Sequence, residues 1–450
     1  MRKKEGKISI SSAIVTLILI IILIITFNIY KLNNFNNFKK VVAEDKETEF
    51  TRDNKIKCSK YNSYKIQNSD YNDASFYKEI EVEPNTPYKI SCMVKTENIV
   101  GEDLEKDVGA TIGLLDTLEY SEPLRGTNDW QKVEYMFNAK KREKVKISFR
   151  LGGNQGKCTG TVWFSDFKIE KGIKNTNSEW NVGCFIVKEL NVNIDGTQYN
   201  LKTSDEDIKN AQLNMERFKD ICYNFSNKKM TVKYEINVID TPVTTISYDE
   251  EHGNYLRYFD VKDLIYDTVK QKEYDYIFVV CRMEDETGNV SIPIIDNWIG
   301  LGSMDMYGIG YSLIRLNRNT NIFAYKYGIT NQNPAEVYLH EFLHTLERDN
   351  KENDYPTPEL HDYEKINYKN GETEDGLNVW YKDYMRKNIL DSETNEYIGL
   401  DESVYLSKPP NNSNFRYAIE VNWHKEPSNI FEEVLTIINA VKRNFANHEV

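Results

Sequence analysis

The stretch NPAEVYLHEFLHTLERDN, residues 333–350, carries the strongest chemical signal in the chain and decides how the rest is read. It opens with the marks of a helix start: Asn333 as N-cap, Pro334 at the first helical position and Glu336 at the third. At 3.6 residues per turn, Val337, His340, Glu341 and His344 share one stripe, while Leu339, Phe342, Leu343 and Leu346 form a separate apolar stripe that can face a core. Two imidazoles at i and i+4 can each place a nitrogen about 2.0–2.1 Å from one Zn²⁺, and Glu341 between them is positioned to contact a metal-bound water rather than the metal. A pair of solvated surface histidines is the bland alternative, and the helix cap and apolar stripe argue against it. The spacing therefore predicts a zinc site at His340 and His344 with Glu341 as catalytic base.

A catalytic zinc needs a third protein ligand and an open fourth position. His361, beyond a loop rich in Pro, Asn and Asp, is the nearest remaining histidine; Glu364, Glu347 and Asp349 are the alternatives. His252, His424 and His448 have no motif around them and read as structural or surface residues. Residues 337–346, with uncharged side chains around His-Glu-Phe-Leu-His, resemble the HExxH zinc metallopeptidases, the zincins. In thermolysin-like zincins a later glutamate is the third ligand, which is what the spacing of Glu364 resembles. The metzincin pattern is not met, because Glu347 stands where its glycine would be and Asn350 where its third histidine would be. The resemblance implies that the strand before the helix, residues 310–316, pairs with an extended substrate. It also implies that residues 380–385 (WYKDYM) supply a methionine under the metal and a tyrosine for the oxyanion, although aromatics at that spacing equally make core.

Outward from the motif, residues 185–281 alternate strand and helix. Ser204 and Asp207 form a capping box for a helix to about 226, residues 232–239 and 276–281 read as strands, and 261–272 as a helix. This predicts a three-layer α/β arrangement within an α+β zincin-like domain over residues 185–450. Residues 298–316 are rich in glycine, which permits close backbone approach to a ligand or merely supplies turns.

Residues 53–172 show short alternating runs, such as Tyr88, Ile90, Cys92 and Val94, separated by turn residues, which predicts an all-β sandwich. The segments 81–99, 126–130 and 160–172 resemble the jelly-roll carbohydrate-binding modules attached to many secreted bacterial enzymes. That resemblance implies a glycan ligand, with Trp130 and Trp163 either stacking on sugar or filling core, and a structural Ca²⁺ at Asp166.

At the N-terminus, residues 8–30 contain no charge, and the run is long enough as a helix to cross roughly 30 Å of hydrocarbon. The basic flank of Arg2, Lys3, Lys4 and Lys7 places the N-terminus in the cytoplasm and the rest outside. Residues 1–30 thus read as a cytoplasmic tip and transmembrane signal anchor, with secretion as the alternative if it is cleaved, and polar residues 31–52 as a linker. The six cysteines form no CxxC pair and read as buried free thiols. Lys and Arg number 57 against 70 Asp and Glu, a net charge of −13 that makes nucleic acid a poor partner. Together these features predict a membrane-anchored bacterial surface zinc endopeptidase acting on protein or glycoprotein. A non-catalytic adhesin with a glycan-binding jelly roll is the alternative, and a cell-wall metallo-amidase a third reading.

Overall fold

The computed structural model describes residues 38–103, 108–153, 156–316, 334–363, 374–411, 415 and 419–422. The apolar run at 8–30 lies outside these residues, as do Asn333, Glu364, His424 and His448. Among the described residues no helix is long and apolar enough to cross a membrane.

The first body is a sandwich of two antiparallel sheets. Its strands are β1 (Lys39–Val42), β2 (Thr48–Asp53), β3 (Ser63–Asn72), β4 (Ala74–Glu81), β5 (Pro87–Gly101), β6 (Gly109–Leu114), β7 (Gly126–Asn138), β8 (Lys144–Gly152) and β9 (Cys158–Lys171). One sheet has the order β1-β4-β8-β6 and the other runs β2-β3-β9-β5-β7. The period-2 pattern sets the core: Tyr88, Ile90, Cys92 and Val94 of β5 meet Ile147, Phe149 and Leu151 of β8 in one buried cluster.

The sandwich is larger than the sequence indicates. Residues 31–52, read as a linker, contribute β1 and β2, one strand to each sheet. Two isolated phenylalanines in that polar stretch are the physical reason: Phe38 meets Tyr64, Phe149 and Phe167, and Phe50 meets Phe76 edge-on. Their partners are distant in sequence, so no local periodicity marks them. A short strand at Ile419–Asn422 also pairs with β9, so residues assigned to the second domain return to the sandwich.

The second body begins at β10 (Glu179–Val187), earlier than residue 185. Hairpin β11 (Glu189–Ile194) and β12 (Thr197–Lys202) leads to helix α1 (Asp205–Phe225), whose Ser204–Asp207 capping box is formed, and then to β13 (Thr231–Ile239). Hairpin β14 (Ser247–Asp249) and β15 (Gly253–Tyr255) precedes α2 (Tyr258–Lys272), β16 (Tyr276–Arg282), β17 (Gly300–Met306) and β18 (Ile309–Leu316). Helices α3 (Pro334–Glu352) and α4 (Glu374–Met385), a short hairpin of Ile389–Leu390 with Tyr397–Ile398 and a 3-10 turn at Glu402–Leu406 complete it.

The sheet order is β13-β10-β16-β18-β17, parallel throughout except for β17 against β18. Parallel strands covered on both faces must be apolar on both, and all seven residues of β16 are buried. Tyr276, Phe278 and Val280 face α1 and α3, whereas Ile277, Val279 and Cys281 face α2. All six cysteines are free, and five are buried in these cores.

Candidate metal centre

Helix α3 starts at Pro334 and buries Leu339, Phe342, Leu343 and Leu346 against β16 and α1, which fixes the rotation of the helix. His340 and His344 are thereby aimed into a cleft of about 360 Å³ lined by Trp298, Gly300, Glu336, Val337, Glu341, Leu360, His361, Tyr363 and Tyr381, among others. The Nε2 atoms of His340 and His344 are 3.2 Å apart, and Nε2 of His361 lies 3.0 Å from the first and 3.2 Å from the second. Three ring nitrogens in a near-equilateral triangle cannot satisfy one another, since a proton on any one points at only one neighbour. Tetrahedral ligands about 2.0–2.1 Å from one zinc sit about 3.3 Å apart, so the donor set fits that ion. Among the described residues this is the one group of three His, Cys, Asp or Glu side chains able to hold a metal.

The outward nitrogens are also engaged. His340 Nδ1 is 2.9 Å from the Tyr381 hydroxyl, and His344 Nδ1 is 3.2 Å from Glu347 Oε2. With Nε2 left as a lone pair, Nδ1–H of each donates outward, which fixes the tautomer that a metal requires. Burial holds His340 well below the ordinary imidazole value, and His344 and His361 add to the shift, so it is neutral.

The remaining candidates take other positions. Glu347 supports His344 and accepts from Lys351 Nζ at 2.7 Å and from the Leu360 amide at 3.2 Å. Asp349 points away from the triangle to Lys140 of the sandwich, 2.7 Å away. His361 itself is exposed, and the loop beneath it supplies the rigidity: Trp380 Nε1 donates to Leu360 O at 2.9 Å and the Tyr384 hydroxyl to Pro358 O at 2.9 Å. Met385 is buried in the core with Tyr384. Residues 380–385 thus brace the His361 loop and His340, a role that their spacing alone does not reveal.

Glu341 is 5% exposed beside the triangle, and burial pushes its carboxyl up to about 7 even though the Gly302 amide donates to it. A β-bulge between Leu301 and Met304 puts one extra residue in β17, which releases an amide from the ladder for this contact. The glycines here serve close approach. A Cβ on Gly300 would lie 2.6 Å from Glu341 Oε1, and one on Gly302 would lie 2.3 Å from Glu341 O.

One expectation about a neighbouring segment is corrected by the topology. Residues 310–316 belong to β18, which is paired on both sides, so they have no free edge for a substrate. Among the described residues the sheet has two edge strands, β13 and β17, and β17 is the one that lies against α3 beside the triangle. In the sandwich, Trp163 is buried, as the core reading has it, although it packs outside the inter-sheet cluster, whereas Trp130 is half-buried. Trp163 lies in register with Lys65 and Lys95 on the outward face, only 4% exposed, and its indole donates to Asp53 Oδ2 at 3.0 Å. Asp166 accepts from the Ser59 hydroxyl at 2.8 Å.

No family model and no curated protein matches the sequence. Among solved structures, the chain is similar to a carbohydrate-binding module in complex with β-1,4-galactotriose, at 13% identity over 31% of this chain and 92% of that one, with a TM-score of 0.22. It is similar to a xylan-binding domain from Paenibacillus barcinonensis, at 12% identity over 29% and 83%, TM-score 0.19. A third likeness is to the cleaved adhesin domain of Lys-gingipain from Porphyromonas gingivalis W83, at 10% identity over 29% and 89%, TM-score 0.21. Each of these likenesses covers under a third of this chain.

Proposed function

We propose that the chain is a zinc-dependent endopeptidase, and the observation that carries this is the convergence of the His340, His344 and His361 Nε2 atoms beside a buried Glu341. Zinc held by those three nitrogens would supply a Lewis acid that polarises a scissile carbonyl and lowers the pKa of a bound water to about 7. Glu341, poised near neutrality, takes the proton of the attacking water and delivers it to the leaving amine. The edge of β17 aligns an extended peptide alongside the cleft by strand pairing, which is why a peptide rather than a compact substrate suits the site. The apolar run at 8–30 and its basic flank support anchorage to the bacterial membrane with this head outside.

The test is zinc content and peptide cleavage by the ectodomain and its Glu341→Gln variant. The variant retains one zinc per chain and loses hydrolysis; cleavage at the wild-type rate would falsify the assignment.

A second reading, a surface adhesin whose sandwich binds glycan, is favoured by one observation: Trp130 of β7 lies outside the sandwich core cluster and is only half-buried. Its partly open ring suits sugar stacking. Glycan-array binding by a protein that takes up no zinc and cleaves nothing is the result that selects it over the enzyme.

A further inference from the structure

The sandwich touches the metal-binding helix at its C-terminal end, through the tight turn that joins β7 to β8. Lys140 sits in this turn with φ of 53° and reaches out of the sandwich with an 8% exposed side chain. Its Nζ lies 2.7 Å from Asp349 Oδ1 and 2.7 Å from Glu352 Oε2, both on the last turns of α3. The next amide, Lys141 N–H, donates to Asn353 Oδ1 at 2.7 Å, and Asn353 Nδ2 donates back to Asp349 O at 2.7 Å. The turn therefore supplies what a helix C-terminus lacks: a cation against the negative end of its dipole and a partner for the polar residue that closes it.

The turn is itself braced from within the sandwich. Arg142 donates to the carboxylate of Glu119 at 2.6 and 3.2 Å and to Asn138 O at 2.8 Å, and Asn138 Oδ1 accepts from the Lys140 amide at 2.7 Å. Lys140 is thus presented by a stiff hairpin rather than by a free loop.

The same helical turn controls the third histidine. Asn350, adjacent to Asp349, donates to Thr357 Oγ1 at 2.6 Å and to Gly399 O at 3.0 Å, and accepts from the Asp401 amide at 3.0 Å. Thr357 lies four residues before His361, on the loop that brings this ligand to the helix. A shift of residues 349–353 is therefore passed in one direction to His344, on the same helix, and in the other to His361.

We propose that Lys140 is a positioning residue of the metal centre, and that the sandwich is part of the scaffold of that centre rather than a separable module. The metal half of this statement rests on the zinc reading above; the clamp on α3 does not.

The experiment compares the full chain with Lys140→Met and with the double variant Lys140→Met/Asp349→Asn. The double variant removes both buried charges and leaves only the part-exposed Glu352 without its lysine, so it remains folded if the single variant does not. Amide hydrogen exchange of residues 334–352 is measured in metal-free protein, and zinc affinity by competition with a chelator. The clamp predicts faster exchange toward the C-terminal end of α3, with protection in β3, β5 and β9 unchanged. It also predicts zinc affinity about 10-fold weaker, recovered by Lys140→Arg. Wild-type exchange in α3 in both variants overturns the clamp. Altered exchange at unchanged zinc affinity overturns the link to the metal centre. If the wild type binds no zinc, the enzyme reading fails while the exchange result still decides the clamp.

Discussion

The backbone amide of Gly302 donates to the carboxylate of Glu341, so the proposed general base is held by the edge strand that runs beside it. The contact exists because β17 carries a bulge at this point and no Cβ at Gly300 or Gly302, which lets strand and helix approach to backbone distance. One glycine-rich segment therefore sets both the environment of the base and the free edge next to it.

Gly302→Ala places a Cβ 2.3 Å from Glu341 O, a backbone atom that cannot move aside cheaply. Denaturant unfolding should show a loss of about 1–3 kcal/mol. Peptide hydrolysis should fall with it, because the displaced strand no longer offers its amide to Glu341. An alanine variant with wild-type stability would show that β17 does not lie against α3 as described.

Tyr381→Phe removes the acceptor for His340 Nδ1, and Glu347→Ala removes that for His344. Outer partners of metal-bound imidazoles typically contribute roughly 10–100-fold to affinity. Zinc titration against a competing chelator should find losses of that size in each variant. Asp349→Asn alone should leave a folded chain still able to load zinc, since Asp349 faces Lys140 and not the triangle.

Zinc itself should stabilise the fold. An ion that binds the native state alone adds about 4 kcal/mol at a thousand times its dissociation constant. Thermal unfolding with and without chelator should therefore show a zinc-dependent rise in Tm that His361→Ala strongly reduces, because two nitrogens on one helix make a far weaker site than three. An identical rise in the variant would remove His361 from the ligand set.

Asp275 gives a pH dependence away from the metal. It is 3% exposed, accepts from the Asn181 amide at 2.8 Å, and burial pushes its carboxyl up to about 6, partly opposed by Lys408. The unfolded chain releases this proton near pH 4, so the folded state is the tighter proton binder. The stability contributed by the group is fully present below about pH 4 and is lost as pH rises through 6. Relative to Asp275→Asn, wild-type stability should fall by roughly 2–3 kcal/mol between pH 4 and 7 in denaturant titrations. A difference that stays constant over this range would mean that the carboxylate is solvated in the folded protein.

Along the chain, what local spacing can encode was legible. The 3.6-residue period gave α3 its two faces and put His340, Glu341 and His344 on one of them, and the period of 2 gave β5 its inward row. The capping box at Ser204 and the buried run of β16 are equally local and formed where the pattern places them. Contacts between residues far apart in sequence leave no such trace. Phe38 and Phe50 become sandwich core only when β3, β4 and β8 arrive, which is how a stretch resembling a linker became two strands. Choosing among His361, Glu347 and Asp349 required the loop braced by Trp380 and Tyr384 and the sandwich turn that claims Asp349. Which strand offers an edge beside α3 depended on sheet order, and β17 lies outside β18 although it precedes it in the chain. The sequence by itself determined the chemistry that the helix can perform, because side-chain phase along one element is a local property. Only the tertiary structure decided which distant groups complete that chemistry, because their selection depends on packing between elements.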